Sequence, residues 1–148
     1  MALTKTLAAA AVALSLFAVA GPSTAQESSG TPGTVWQLSS IQIEPGQYEH
    51  YLDYLAGNWK RIQELGKKEG YIVSYHVWGV NMTRQGEPDL ILAVEYKDYL
   101  SNAEQLAIQK KIEAMLQADS RKMDTADGER KVMRKVISNM ELQEVKLK

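Results

Sequence analysis

The chain of 148 residues is long enough for one domain of ordinary size but not for two full domains. It carries 17 Lys and Arg residues against 18 Asp and Glu residues, a balance that argues against nucleic-acid binding, since nucleic-acid-binding proteins show a marked basic excess. The absence of Cys excludes disulfide bonds, so stability must come from core burial or from oligomerisation.

The first 25 residues have the pattern of a secretory signal peptide. Lys5 precedes an apolar run from Leu7 to Ala20, and the small residues Ser23 and Ala25 predict cleavage after Ala25. An uncleaved membrane anchor is the alternative, although the apolar run is shorter than the roughly 20 residues that span a bilayer. We therefore predict a periplasmic or secreted protein without stable membrane insertion, and we leave residues 1–25 out of the fold.

The start of the remaining chain predicts a leader, a strand and a helix. Residues 26–34 are polar and contain Gly and Pro, which predicts a flexible leader before a single domain at 35–148. The residues of 35–43 favour a strand, and Glu44-Pro45-Gly46 is typical of the turn that ends one. Apolar residues then recur every three or four positions over 47–68, which predicts an amphipathic helix.

The second half of the domain predicts a hairpin, further helix and a last strand. The predicted elements are a strand at 71–80, a hairpin loop at 81–88, a strand at 89–96, a helix at 103–118, an irregular polar segment at 119–128, a short helix at 129–137 and a strand at 139–147. The order is therefore β-α-β-β-α-(α)-β.

This order matches the ferredoxin-like arrangement, an α+β fold in which one antiparallel four-stranded sheet carries both long helices on one face. The other face is left bare, and we expect Ile72, Trp78 and Ile91 to lie on it. An apolar patch of that size is unusual on a soluble monomer. We therefore predict a homodimer in which two sheets pack face to face.

A hairpin centred on residues 84–85 also predicts which side chains share a face. On the bare face it pairs Ser74 with Glu95, His76 with Ala93 and Trp78 with Ile91. On the helix-covered face it pairs Val73 with Tyr96, Tyr75 with Val94 and Val77 with Leu92. A slip of one residue would exchange the two faces.

Three stretches of sequence, together with the element order, resemble the dimeric α/β-barrel superfamily. They are Ile43-Glu44-Pro45-Gly46 between strand and helix, Trp59 to Gly70 at the end of that helix, and Glu95-Tyr96-Lys97-Asp98 at the end of the third strand. That group includes small monooxygenases of antibiotic biosynthesis, cofactor-free enzymes, haem-handling proteins and exported proteins without an assigned function. The resemblance covers most of residues 34–148 and implies a dimeric α/β barrel, but no particular reaction.

His76 and Glu95 are the candidate catalytic residues. Histidine titrates near neutral pH, and a carboxylate diagonal to it on the same face would orient it as a general base. The alternative is a satisfied interior histidine, with Glu95 paired to a nearby Lys or Arg.

The candidate ligand-binding residues combine aromatic, apolar and polar side chains: Trp36, Ser74, Trp78, Ile91 and Arg134. The tryptophans would line a pocket for a flat apolar ligand, although aromatic residues at such spacing also form ordinary core. Arg134 would bind an anionic group, or else it is a solvated charge on the last helix.

The sequence offers no pattern for a metal or a cofactor. Its two His residues lie on different elements, no closely spaced His, Asp and Glu set accompanies them, and phosphate-binding and dinucleotide fingerprints are absent. The leading hypothesis is an exported homodimeric barrel that binds a small apolar or aromatic molecule in a cavity of each subunit. A cofactor-independent enzyme using His76, and an assembly protein whose bare sheet only dimerises, are the alternatives.

Overall fold

The computed structural model describes residues 28–148, so the predicted signal peptide and the first part of the predicted leader lie outside the described residues. The strands are β1 (Gly30–Ile43), β2 (Ile72–Gly79), β3 (Leu90–Tyr96) and β4 (Arg134–Leu147). The helices are α1 (Tyr48–Tyr54), α2 (Lys60–Glu69), α3 (Asn102–Leu116) and α4 (Ser120–Glu129). None of the helices within 28–148 is long and apolar enough to span a membrane.

The four strands form one sheet in the order β2-β3-β1-β4, and every neighbouring pair is antiparallel. This strand order, with helices in both crossovers, is that of the ferredoxin-like fold, and it confirms the predicted α+β class. We call the sheet surface that carries the helices the helix side, and the opposite surface the open face.

The first helical segment runs without a break from Tyr48 to Glu69, close to the predicted 47–68. Its middle turn, Leu55–Trp59, is π-helical and contains Gly57, which has the lowest helix propensity in that turn. Gly70 ends the segment with a left-handed φ of 83°, a conformation that glycine adopts without steric cost.

The core lies on the helix side, between this helical segment and the middle of the sheet. Its most buried members come from β1, β3 and the helix: Ile41, Leu90, Leu92, Tyr51 and Leu55. Close approach of helix and sheet depends on Gly66, since a methyl group there would overlap the side chain of Ile72.

The hairpin register is the predicted one from Ser74 to Trp78, which stand opposite Glu95 and Ile91. It shifts between Ile72 and Ser74, so that Ile72 and not Val73 stands opposite Tyr96. Ile72 is therefore buried on the helix side, 5% exposed, and the prediction that it lies on the bare face is wrong. Val73 is the extra residue of the bulge and remains 42% exposed.

The two ends of the described chain differ from the prediction because they pair with each other. β1 begins at Gly30, which stands opposite Leu147, so residues 30–34 are strand where we predicted leader. β4 likewise begins at Arg134, inside the helix predicted at 129–137, of which only a 3-10 turn at Arg130–Val132 is present. Pairing with β1 along the whole of β4 outweighs a helical spacing of apolar residues.

The segment at 119–128, predicted to be irregular, is helix α4. Asp119 precedes it in an extended conformation, and its carboxylate accepts a hydrogen bond of 2.9 Å from the backbone N–H of Lys122. A side-chain cap of this kind satisfies one of the free N–H groups at a helix start, which allows a short and largely polar helix to form.

Candidate functional site

Three aromatic rings lie side by side on the open face: Trp36 from β1, and His76 and Trp78 from β2. The ring centroids of His76 and Trp78 are 5.3 Å apart, and Trp36 lies 6.2 Å from His76 and 6.5 Å from Trp78. The ring planes are nearly parallel, with interplanar angles of 8°, 17° and 22°. We call these three residues the aromatic platform.

The strand order explains how residues of β1 and β2 meet. β3 lies between those strands, and the β3 residue opposite His76 is Ala93, the smallest side chain of the strand. Ala93 is fully buried although it points to the open face, where it stands between Leu38 of β1 and His76 of β2.

The polar members of the predicted site lie beside the platform. The Ser74 hydroxyl donates a hydrogen bond of 2.6 Å to the Glu95 carboxylate, directly across the β2–β3 ladder. That carboxylate is therefore engaged with Ser74, while the His76 ring stacks on the two tryptophans. The role of Glu95 in orienting His76 stays a prediction.

Apolar side chains of the neighbouring strands extend the platform across the open face. Ile91 stands opposite Trp78 on one side, as predicted, and Met140 and Leu142 of β4 extend the surface on the other. Trp78 is 45% exposed, and the two β4 residues are 53% and 45% exposed. Met140 and Leu142 were not predicted as site residues, although their spacing by two in a predicted strand places them on one face.

Arg134 does not join the other predicted ligand-binding residues. It stands opposite Ile43 at the start of β4, on the helix side, and its guanidinium forms an ion pair of 3.0 Å with Asp127. Arg130 contacts the same carboxylate oxygen at 2.6 Å. Arg134 therefore lies on the opposite surface of the sheet from the platform, and a common site with Trp36 and Trp78 is wrong.

The Arg134 guanidinium also lies above the ring of Tyr51, 5.7 Å from its centroid. Burial raises the pKa of Tyr51 to about 12, and the nearby positive charge of Arg134 only partly offsets this. Between pH 10 and about 12 the folded protein therefore retains a proton that the unfolded chain loses. This difference in ionisation makes the free energy of unfolding fall as the pH rises through that window. Below the window Tyr51 is protonated in both states, so it does not contribute to the pH dependence.

Tyr51→Phe is expected to flatten this part of the pH dependence, since phenylalanine keeps the ring but has no proton to lose. The measurement is urea unfolding of both proteins at intervals between pH 9 and 12. Tyr48→Phe, at a residue that is 45% exposed, serves as the matched control and is expected to follow the wild type. Equal slopes for Tyr51→Phe and wild type would contradict the assignment.

Within residues 28–148, no three His, Asp or Glu side chains come together as a possible set of metal ligands. The titratable groups around the aromatic platform are instead the single imidazole of His76 and the carboxylate of Glu95. The site thus offers aromatic surface, apolar contacts and one polar ring. These features suit a flat organic ligand.

Solved structures with a related chain path share little sequence with this protein. HapK from Hahella chejuensis is 7% identical over 74% of this chain and 91% of that chain, with a TM-score of 0.49. Protein SO0527 from Shewanella oneidensis is 11% identical over 79% and 96%, with a TM-score of 0.48. A dimeric protein of ferredoxin-like fold from Bacteroides fragilis NCTC 9343 is 18% identical over 76% and 95%, with a TM-score of 0.36.

No family model and no curated protein matches the chain. The fold assignment rests on the strand order and the connections, and identities this low carry no information about function.

Proposed function

We propose that this protein is an exported homodimer that binds a small apolar or aromatic molecule against the aromatic platform. In the dimer, the open faces of two copies pack together, and each copy contributes one platform to a ligand cavity. The near-parallel arrangement of the three rings on an exposed face is the observation on which the proposal rests.

The distribution of polar pairs in the β1–β4 half of the sheet supports a cover on the open face. On the helix side, the Gln37 amide donates a 3.1 Å hydrogen bond to Glu141, and the Ser39 hydroxyl donates a 2.8 Å hydrogen bond to Asn139. These polar cross-strand pairs occupy the surface that normally carries the core.

On the open face of the same two strands, the two cross-strand pairs beside the platform are apolar, Trp36 with Leu142 and Leu38 with Met140, and polar pairs follow only farther along, from Ser40 with Ser138. Apolar area removed from water stabilises an assembly by about 25 cal/mol per Å². This half of the sheet is therefore patterned for burial on the side that no helix of its own chain covers. A second copy of the chain supplies the same apolar surface and is the cover we propose.

The platform favours a flat ligand. Aromatic rings attract one another most strongly when offset and parallel, and such contacts contribute about 0.5–1.5 kcal/mol each beyond the area they bury. A planar molecule lying on the rings would contact Trp36 and Trp78 together, and a ring nitrogen of His76 would form a hydrogen bond with a heteroatom of the ligand. The polar group would thereby fix the orientation of the ligand.

The position of His76 within the platform also favours a second candidate function. A cofactor-independent enzyme would use this imidazole as general acid or base next to the bound molecule. His76→Ala separates the two functions: turnover lost with affinity retained supports catalysis. Affinity lost without any turnover in the wild type supports binding alone.

Tryptophan fluorescence with 2-naphthol as the probe tests the binding function. We expect saturable binding to the wild type, with affinity lowered about tenfold in Trp36→Ala, because one stacking contact and its buried area are lost. The saturated analogue decahydro-2-naphthol, which has the same hydroxyl but no flat ring, is expected to bind more weakly.

Trp59→Phe is the matched control, since Trp59 packs edge-on against Tyr75 on the helix side, 5.4 Å between centroids. It is expected to bind 2-naphthol as the wild type does. Equal affinities for the flat and the saturated compound, or an unchanged affinity in Trp36→Ala, would contradict a stacking site.

A further inference from the structure

A second concave site lies on the helix side of the sheet, where the segment after β3 and the first turn of α3 pass over β1 and β4. It has a volume of about 270 Å³, and the buried side chain of Val35 contributes to its apolar lining. Its polar and aromatic side chains are Gln37, Tyr96, Asp98, Tyr99, Gln105 and Glu141. We call it the helix-side cleft.

The capping box of α3 fixes one wall of the helix-side cleft. The Ser101 hydroxyl accepts a hydrogen bond from the backbone N–H of Glu104, and the Glu104 carboxylate accepts one of 2.8 Å from the backbone N–H of Ser101. Gln105 follows directly, and its amide nitrogen donates a 3.0 Å hydrogen bond to the carbonyl oxygen of Leu100. Two reciprocal caps and this third bond hold the wall in one conformation.

The hydrogen bonds within the cleft leave acceptors for a ligand. The amide nitrogens of Gln37 and Gln105 donate to Glu141 and to Leu100, so both amides retain a carbonyl oxygen as acceptor. One oxygen of Asp98 accepts a 2.7 Å hydrogen bond from the backbone N–H of Tyr99, and its other oxygen remains. The cleft therefore offers several acceptor oxygens to a ligand that donates hydrogen bonds.

The charges around the cleft also favour a ligand that donates hydrogen bonds, and in particular a positively charged one. Asp98 and Glu141 line the cleft, and no Lys, Arg or His from residues 28–148 lines it with them. Burial, then the neighbouring Tyr71 and then the charge of Glu141 raise the pKa of Tyr96, which places that carboxylate near the Tyr96 phenol. Two carboxylates that line one concave surface without a basic side chain among the lining residues favour a negative potential there.

We propose that the helix-side cleft binds a small organic ammonium ion, such as a primary alkylamine, a site independent of the aromatic platform. The ammonium group donates hydrogen bonds to Glu141, Asp98 and an amide oxygen, and the alkyl chain lies against Val35 and a tyrosine ring. A metal ion fits less well, since no group of three carboxylate or imidazole ligands is present within the described part of the chain. The volume of about 270 Å³ suits a small ligand of this kind.

The test is a titration of the ¹⁵N-labelled protein with butylamine at pH 7, followed by NMR, with butanol as the uncharged probe of equal length. We expect saturable shifts for backbone amides at residues 98–105 and at Gln37 and Glu141. Butanol is expected to bind at least about fivefold more weakly, because the charge-assisted hydrogen bonds are lost. Equal binding of the two probes would overturn the proposal.

Glu141→Gln and Asp98→Asn are expected to weaken butylamine binding about fivefold each, since each removes one charge but keeps the shape. Glu144→Gln is the matched control on the same strand, at a carboxylate that contacts the backbone of Thr34 and does not line the cleft. Unchanged affinity in both cleft variants, or equal weakening by the control, would overturn the site. The binding of 2-naphthol is unaffected in all three variants, which keeps this proposal distinct from that of the platform.

Discussion

Trp78→Asp is expected to convert the protein from a dimer into a monomer. Trp78 lies on the open face, 45% exposed in the single chain, and its ring stacks on His76. In the proposed dimer this side chain is buried, so the substitution removes a large apolar contact and leaves an unpaired carboxylate in the interface. Such a charge costs several kcal/mol to bury, and we expect the dissociation constant to rise at least about a hundredfold.

Sedimentation equilibrium over a range of protein concentrations measures this change. Val77→Asp is the matched control: it adds the same charge one position away on the same strand, at a residue 39% exposed that points to the helix side. We expect Val77→Asp to remain dimeric, with circular dichroism confirming that both variants are folded. A monomeric wild type, or a Trp78→Asp variant that dimerises normally, would contradict the homodimer and with it the closed cavity.

The register of the β2–β3 hairpin was predictable because a loop centred on residues 84–85 and strict alternation together determine the pairs. Ser74, His76 and Trp78 stand opposite the predicted residues and point away from the helices. The bulge at Val73 was not predictable, since Tyr71, Ile72 and Val73 all favour a strand. Only close packing of Ile72 against Gly66 decides where the register shifts.

The candidate site was predictable residue by residue but not as an arrangement. Trp36 was recognised as a possible pocket residue, yet its contact with His76 requires β1 and β2 to flank the same strand and a residue as small as Ala93 between them. Arg134 was assigned to a helix near the site, and the strand that begins there turns it to the other surface. Because a helix was predicted where a strand begins, the predicted position of this charged side chain was on the wrong side of the sheet.

The segment from 129 to 137 was misread because local spacing and long-range pairing disagree there. Val132, Met133, Val136 and Ile137 follow a helical spacing, but Val136 pairs with Ile41 in β1. β-Branched residues fit a sheet as well as they fit a helix, and the partner strand lies about a hundred residues earlier in the sequence. Pairing over that separation leaves no local signal.

The two proposed sites both depend on how polar and apolar side chains of β1 and β4 are distributed between the two surfaces of the sheet. α3 has no fully buried residue, so it does not cover the β1–β4 half of the sheet closely. The helix side of these strands presents polar pairs such as Gln37 and Glu141, and a cleft remains between them and Gln105 of α3. Next to these polar pairs, Trp36, Leu38, Met140 and Leu142 of the same strands point to the open face. Polar pairs on the helix side and apolar pairs on the open face of the same strands thus account for both the proposed polar ligand site and the proposed apolar interface.

Leu55→Ala is expected to lower the free energy of unfolding by about 2–5 kcal/mol. Leu55 is 4% exposed and packs in the core with Tyr51, Ile41 and Leu92. It begins the π-helical turn, where Gly57 already weakens the helix, so the backbone there depends on this contact with the sheet. Truncation removes the buried methyl groups and leaves a cavity between helix and sheet.

Leu106→Ala is the matched control, because it makes the same chemical change in a helix at a residue that is 65% exposed. We expect it to change the free energy of unfolding by less than about 0.5 kcal/mol, as is usual for surface substitutions. Urea unfolding followed by circular dichroism, at one chain concentration for all proteins, measures both effects without interference from dimer dissociation. If both substitutions lowered the free energy of unfolding equally, burial of Leu55 would not determine the effect. That outcome would contradict the role of the helical segment in anchoring the fold.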